Sequence, residues 1–240
     1  MRTLNDFDAN FALRRLPGNV RALLTTHAKN LFLAGGFIRA VVAHENINDI
    51  DLFASSPEYA KAVAATFADG GKIIETDNAY TIRKHNMPAV QIIHRWTFTD
   101  PLKCVESFDY TIVQAAIWHN GETWVTACSD EFYEDLASKR LSYTAPERIE
   151  EAGGSMLRML KYYQRGYHIP LYDLSRVIAR LVSGIKWDKM TDFSEDKIAK
   201  ILLALLVEVD PQLVFMHTKD VVVDEIVPLE DEVAKELDTK

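Results

Sequence analysis

Cysteine is nearly missing from this chain: its 240 residues include only 2 cysteines, Cys104 and Cys128. They have neither metal-ligand spacing nor the density of a disulfide-stapled fold, which points to a reducing, cytoplasmic setting. No apolar run approaches the roughly 20 residues that a bilayer span needs, so no membrane partner is expected. The opening residues, Met1 to Asp8, carry no apolar signal core. Basic charge is in the minority, with 27 Lys and Arg against 35 Asp and Glu and a net charge of −8. A chain-wide positive field is thereby excluded, and a polynucleotide partner would have to meet a local basic face. Internal repeats and low-complexity tracts are absent, and the histidines are scattered without ligand spacing.

What is present is ordinary for a globular protein, 48% hydrophobic and 26% charged, with enough length for a sizeable core. Residues 1–30 read as helical, with Leu4, Phe7 and Phe11 on one face. Val20, Leu23, Leu24 and His27 recur at helical spacing after Pro17-Gly18. Pro57 opens a helix with Ala60, Val63, Ala64 and Phe67 inward, ending at Gly70-Gly71. Lys72 to Thr76, Ala79 to Lys84 and Ala89 to His94 are candidate strands of a small mixed or antiparallel sheet. Asn120-Gly121 reads as a type I′ hairpin turn leading into a strand over Thr123 to Ala127. Ser129 reads as the cap of a helix through Phe132, Leu136 and Ala137. From Pro146 the pattern becomes long and helical, with Ile149, Met156, Leu157, Leu160 and Tyr163 inward. Further helices are expected over Tyr172 to Gly184 and Glu195 to Val209. The expectation is an α/β head over 1–145 and a helical part over 146–240.

One stretch carries chemistry. Leu31 to Ala34 has the length and flanks of a buried strand, and Gly35-Gly36 turns the chain with no Cβ in the way of an approaching phosphate. Phe37 to Ala43 reads as a short helix whose N-terminus faces that turn. Asn48 to Phe53 reads as a strand, which puts Asp49 and Asp51 on one face. Two such carboxylates repel each other unless a cation lies between them, and hard divalent ions prefer oxygen ligands. A phosphate cradle beside a carboxylate pair is equipment for phosphoryl or nucleotidyl transfer.

Gly35-Gly36-Phe37-Ile38-Arg39 with Asp49-Ile50-Asp51 resembles the Gly-Gly-x-x-Arg…Asp-x-Asp signature of the polymerase-β-like nucleotidyltransferases. The most similar branch is that of the CCA-adding tRNA nucleotidyltransferases and bacterial poly(A) polymerases. Phe108-Asp109-Tyr110-Thr111-Ile112 is similar to that branch's second motif. Glu134-Asp135-Leu136, Arg140-Leu141 and Pro146-Glu147-Arg148-Ile149 resemble the connection after that motif, and Leu157-Arg158-Met159-Leu160-Lys161 resembles the neck helix. The resemblance runs over residues 28 to 168 in the family's order. It implies transfer of a nucleotidyl group from an NTP such as ATP to an acceptor hydroxyl, most directly an RNA or tRNA 3′ end, with two Mg2+ ions. Asp49, Asp51 and Asp109 would be the catalytic and metal-binding carboxylates, and Gly35, Gly36, Arg39, Arg158 and Lys161 would hold the nucleotide.

The residues leave alternatives open. Arg39 reads equally as a phosphate ligand or as an aspartate's partner. Asp109 reads as a third metal ligand, a ribose contact or a buried structural acid, with Glu106 a weaker candidate for the third carboxylate. Arg158, Lys161 and Arg165 share a helix face, extended by Arg176, Arg180, Lys186 and Lys189. Such a face is either solvated or a grip on phosphate. Tyr162, Tyr163 and Tyr167 read as core or as a stacking surface. The acidic end, with Asp220, Asp224, Glu225, Glu230, Asp231 and Glu232, reads as a solvated surface.

The chain also departs from the family pattern. Ala40 stands where the family has Asp, Ser107 and Phe108 replace the paired arginines of the second motif, and Val113 replaces its Asn. The nucleotide-reading Glu-Asp-x-x-Arg falls on Gly154, Ser155 and Arg158. The catalytic end of the signature is retained and the specificity end is not. A second reading is therefore a catalytically reduced relative that uses the fold as a binding or inhibitory module, and a third is an enzyme that nucleotidylates a protein or small molecule.

Overall fold

A computed structural model describes residues 1–146, 152–183, 193–200 and 202. The chain divides into two compact units, Met1–Pro146 and Glu147–Lys240.

The first unit is built on a seven-stranded mixed sheet in the order β3-β4-β5-β2-β1-β6-β7. Its strands are β1 (Leu31–Ala34), β2 (Asp49–Ala54), β3 (Ile73–Glu75), β4 (Ala79–Ile82), β5 (Ala89–Ile93), β6 (Ala115–His119) and β7 (Trp124–Cys128). Among these strands β2 and β5 alone run parallel, and they are joined through a helix as a parallel pair requires. The helices are α1 (Asp6–Arg15), α2 (Gly18–Thr26), α3 (Gly36–Val42), α4 (Pro57–Ala68), α5 (Pro101–Glu106) and α6 (Phe132–Ala137).

Local chemistry sets the element ends. Ser56 caps α4 through the Tyr59 N–H, Pro57 sits in its first turn, and Asp69 ends it in the left-handed region at φ 50°. The expected inward residues Ala60, Val63, Ala64 and Phe67 are all buried. On α1, Phe7 is 74% exposed and stacks on Phe11, while Ala12 and Leu16 are the buried residues. Of the three residues expected on one face, Leu4 is buried and Phe11 half-buried, while Phe7 faces solvent.

The Asn120-Gly121 connection is a four-residue loop rather than a type I′ turn, since His119 pairs with Trp124. Gly121 alone takes a positive φ there, and Asn120 Oδ1 accepts from the N–H groups of Glu122 and Thr123. That side-chain closure satisfies the loop without a second left-handed residue. Ser129 is not the cap of α6: Glu131 holds that position, and Ser129 accepts from Phe132 through its backbone carbonyl.

One face of the sheet carries a buried cluster of Phe32, Ala34, Phe53, Ala79, Ile93 and Ala116, roofed by Cys104 and Val105 of α5. Trp96, Phe98, Phe108 and Trp118 pack against it as half-buried rings. Phe32 and Phe53 are register partners on β1 and β2 and stack at 5.8 Å, the cross-strand aromatic pairing that favours a fixed register.

In the second unit, α7 (Ala152–Tyr163) and α8 (Leu171–Ser183) are helical, as are residues 195–200. Leu157, Met159, Tyr162 and Tyr167 are buried, with Tyr162 and Tyr167 edge-to-face at 5.9 Å. Leu160 and Tyr163, expected inward, are exposed instead. Ile149, Lys186, Lys189, the end of the expected Glu195–Val209 helix and the acidic stretch lie outside the described residues. Among the described residues, no helix is long and apolar enough to cross a membrane.

Candidate active site

The glycine turn forms where β1 ends against β6. Gly35 takes φ 84° and ψ −130°, a conformation that an L side chain resists. Its N–H is committed to the Ala115 carbonyl at 2.9 Å. The ring of Phe108 closes the space a Cβ would need, with Cζ 3.3 Å and Cε1 3.5 Å from that position. Gly36 differs: a Cβ there would meet nothing within 4 Å, and its φ is ordinary. The two glycines have different causes. The fold itself demands Gly35, whereas nothing in the fold demands Gly36.

Asp49 and Asp51 are both half-buried on β2, opposite Ala89 and Gln91 of β5. Alternation puts them on the face that continues into Phe53, so the carboxylate pair borders the aromatic cluster. Phe108 joins the two features, since its ring meets Phe53 edge-to-face at 5.8 Å and also covers Gly35. Its backbone is fixed as well: the Phe108 carbonyl accepts from Thr144 Oγ1 at 2.7 Å and Gln114 Nε2 at 3.2 Å.

Arg39 is only 2% exposed on α3 and is ion-paired with Glu45. The Glu45 N–H donates to the Ala40 carbonyl at 2.8 Å, which folds the loop after α3 back under the arginine. Lys139 reaches the other oxygen of Glu45 at 2.5 Å. Arg39 is therefore ion-paired with a glutamate that is no part of the sequence pattern. Ala40 is buried beside it, where a family-type Asp would require its own desolvated partner.

Asp109 is buried at 4% exposure, in a segment held by the Tyr110–Tyr143 bridge and the Thr144 N–H to its own carbonyl. Glu106 is exposed and pairs with Lys103 at 2.8 Å, an ordinary surface ion pair. Among the described residues, no group of three or more His, Cys, Asp or Glu side chains is arranged to hold a metal ion. Asp49 and Asp51 share a face of β2, and among the described residues they are not joined by a third such side chain in a metal-holding group. Behind the site, Thr111 Oγ1 donates to the buried Asp135 carboxylate at 2.5 Å and ties the second motif to α6.

Arg158, half-buried, and Lys161, exposed, lie on α7 of the second unit with Gly154 and Ser155 buried on the same helix. The turn and the aspartates are legible in the sequence, whereas Glu45, Lys139 and the contact of Phe108 with Gly35 are not. Only the replacement of an arginine by Phe108 signalled that the turn is built differently.

A mixed sheet with a glycine turn at the end of one strand and an Asp-x-Asp on its neighbour has the fold of polymerase-β-like nucleotidyltransferase heads. Solved structures carry the same fold. The Thermotoga maritima CCA-adding enzyme complexed with tRNA matches with a TM-score of 0.56 and 16% identity, over 90% of this chain and 55% of that one. A CCA-adding enzyme with ATP matches with a TM-score of 0.57 and 18% identity, over 87% and 51%. A tRNA-processing enzyme in an apo form matches with a TM-score of 0.52 and 14% identity, over 98% and 65%. The chain thus spans between half and two thirds of these structures, and identities this low establish the fold alone. Residues 5–139 match the model of the Gabija anti-defense 2 (Gad2) family, and the chain belongs to that family. A search of curated proteins returned no match.

Proposed function

We propose that this chain counteracts a Gabija defence system by inhibitory contact, using a nucleotidyltransferase-type head over residues 1–145, with 146–240 as its helical neck and body. The observation that carries this reading is the position of the family match, residues 5–139, which lies wholly within the head. The site supports inhibition over tRNA end-processing. Its motif arginine, Arg39, is committed to Glu45, a phenylalanine ring lies on the glycine turn, and Gly154 and Ser155 occupy the base-reading positions.

A second reading rests on Asp49 and Asp51, which keep their spacing, their shared face and partial exposure. In that reading the chain is a nucleotidyltransferase whose acceptor is a hydroxyl on a component of the defence system or on a small molecule. The acceptor oxygen attacks the α-phosphorus of an NTP, the α–β phosphoanhydride bond breaks, and pyrophosphate leaves. Gly35 and Gly36 would receive the triphosphate, and the burial of Arg39 counts against its joining them.

One experiment separates the readings. Cells carrying Gabija express the wild type or the Asp49→Asn plus Asp51→Asn variant, and each Gabija protein is tested for co-purification and for label from α-labelled NTPs. Inhibition by contact predicts co-purification, no label and undiminished protection of the invader by the variant. Labelled Gabija protein or labelled small molecule, lost with the variant together with protection, establishes the second reading.

A further inference from the structure

A separate pocket opens at the other end of β1 from the glycine turn, a strand length or roughly 13 Å away. It has a volume of about 180 Å³ and is lined by Lys29, Leu31, Phe32, Thr99, Pro101, Trp118 and Asn120. Leu31, Phe32, Pro101 and Trp118 make an apolar floor and wall, while Lys29, Thr99 and Asn120 supply polar groups at an exposed rim. A few polar groups converging on an apolar concavity is the usual composition of a small-ligand site.

The rim is held in place. Lys29 takes the left-handed conformation at φ 71°, and its N–H donates to the His119 carbonyl at 3.3 Å. Its Cε lies 3.8 Å from where a Cβ on Gly121 would stand, so the aliphatic stem rests on the Asn120-Gly121 loop. Asn120 Oδ1 is committed to the N–H groups of Glu122 and Thr123, which leaves its Nδ2 as what it offers a ligand. Trp118 packs against the buried cluster while also lining the pocket, so its indole is a braced wall rather than a loose surface ring.

We propose that this pocket binds one nucleotide unit, a planar heterocycle carrying a phosphate. The base stacks on Trp118, Asn120 Nδ2 and the Thr99 hydroxyl meet its polar edge, and the Lys29 ammonium takes the phosphate. Base–aromatic stacking tolerates any base, so the site reads chemistry rather than sequence. The net charge of −8 does not oppose this, because one local cation and one ring suffice for a single unit.

The same chemistry is presented by a free mononucleotide and by a unit of a single strand. The full chain is titrated with AMP, UMP and fluorescently labelled oligothymidylate, read by tryptophan quenching and by anisotropy. The wild type is expected to bind at least one probe, Trp118→Ala and Lys29→Glu to weaken it about tenfold or more, and Trp118→Phe to retain it. Mononucleotides alone binding marks a small-molecule site, and the oligonucleotide binding more tightly marks a strand site; both support the proposal. Lys29→Glu changes an exposed side chain, so it tests the site even where Trp118→Ala fails to fold. Wild type that binds no probe, variants that bind as the wild type does, or a pocket that takes an acidic aromatic peptide and no nucleotide overturns it.

Discussion

The ring of Phe108 lies against Gly35, with its Cζ 3.3 Å from where a Cβ would stand. The contact links the glycine turn to the aromatic cluster through Phe53 and makes Gly35 a fold requirement. Gly35→Ala is expected to destabilise the chain by about 1–3 kcal/mol for the backbone conformation alone, with the ring contact adding to that. Phe108→Leu in the same chain should return the ring-contact part, measurable as a coupling in a urea double-mutant cycle. Gly36→Ala is expected to be neutral or up to about 1 kcal/mol stabilising, because its Cβ points into open space in a helix first turn. Loss of protection in that stable variant would mean that a ligand approaches the bare backbone at Gly36.

Arg39 and Glu45 form a buried pair with Lys139 at its edge. Glu45→Ala leaves the guanidinium desolvated and is expected to cost about 3 kcal/mol or more. Lys139→Ala removes a 39%-exposed partner and should cost less than about 1 kcal/mol. Chemical denaturation of the two variants reads the asymmetry. Equal costs would show that Arg39 is not held by this pair.

Thr111 donates to Asp135 across the junction of the second motif and α6. Thr111→Val keeps the shape and removes the donor, leaving a buried carboxylate one partner short. A loss of about 1–3 kcal/mol is expected, while Thr111→Ser, which keeps the hydroxyl, should retain most of the stability.

Burial pushes the Cys128 thiol above its ordinary range, partly offset by the nearby Arg2, so the reactive thiolate is scarce. Cys104 is fully buried as well. Native protein is therefore expected to resist iodoacetamide at mildly alkaline pH and to take two labels after denaturation, counted by mass spectrometry. Rapid labelling of the native chain would contradict the placement of both residues.

The elements that the sequence made legible are those whose signals are local. Ser56-Pro57 and the stripe Ala60, Val63, Ala64 and Phe67 define α4 without tertiary information, and Leu31 to Gly36 define a buried strand and its turn. The seven-stranded order was not legible, because β2 pairs in parallel with β5 across an intervening helix and hairpin. The Asn-Gly pair suggested a tight turn, yet a side-chain acceptor made the longer loop equally satisfied. Arg39 was half legible: a buried arginine needs a carboxylate, but Glu45 comes from an irregular loop with no periodicity to mark it. Asp49 and Asp51 stood out through spacing alone, whereas Phe108 showed its role only once the chain had folded it onto Gly35.

We propose that this chain disables a Gabija defence. The most direct measurement is survival of an invader in cells that carry Gabija, with and without expression of the full chain. Restored survival that depends on Gabija being present, with no effect in cells lacking it, is the predicted result. Unchanged restriction in the presence of soluble, folded chain would contradict it.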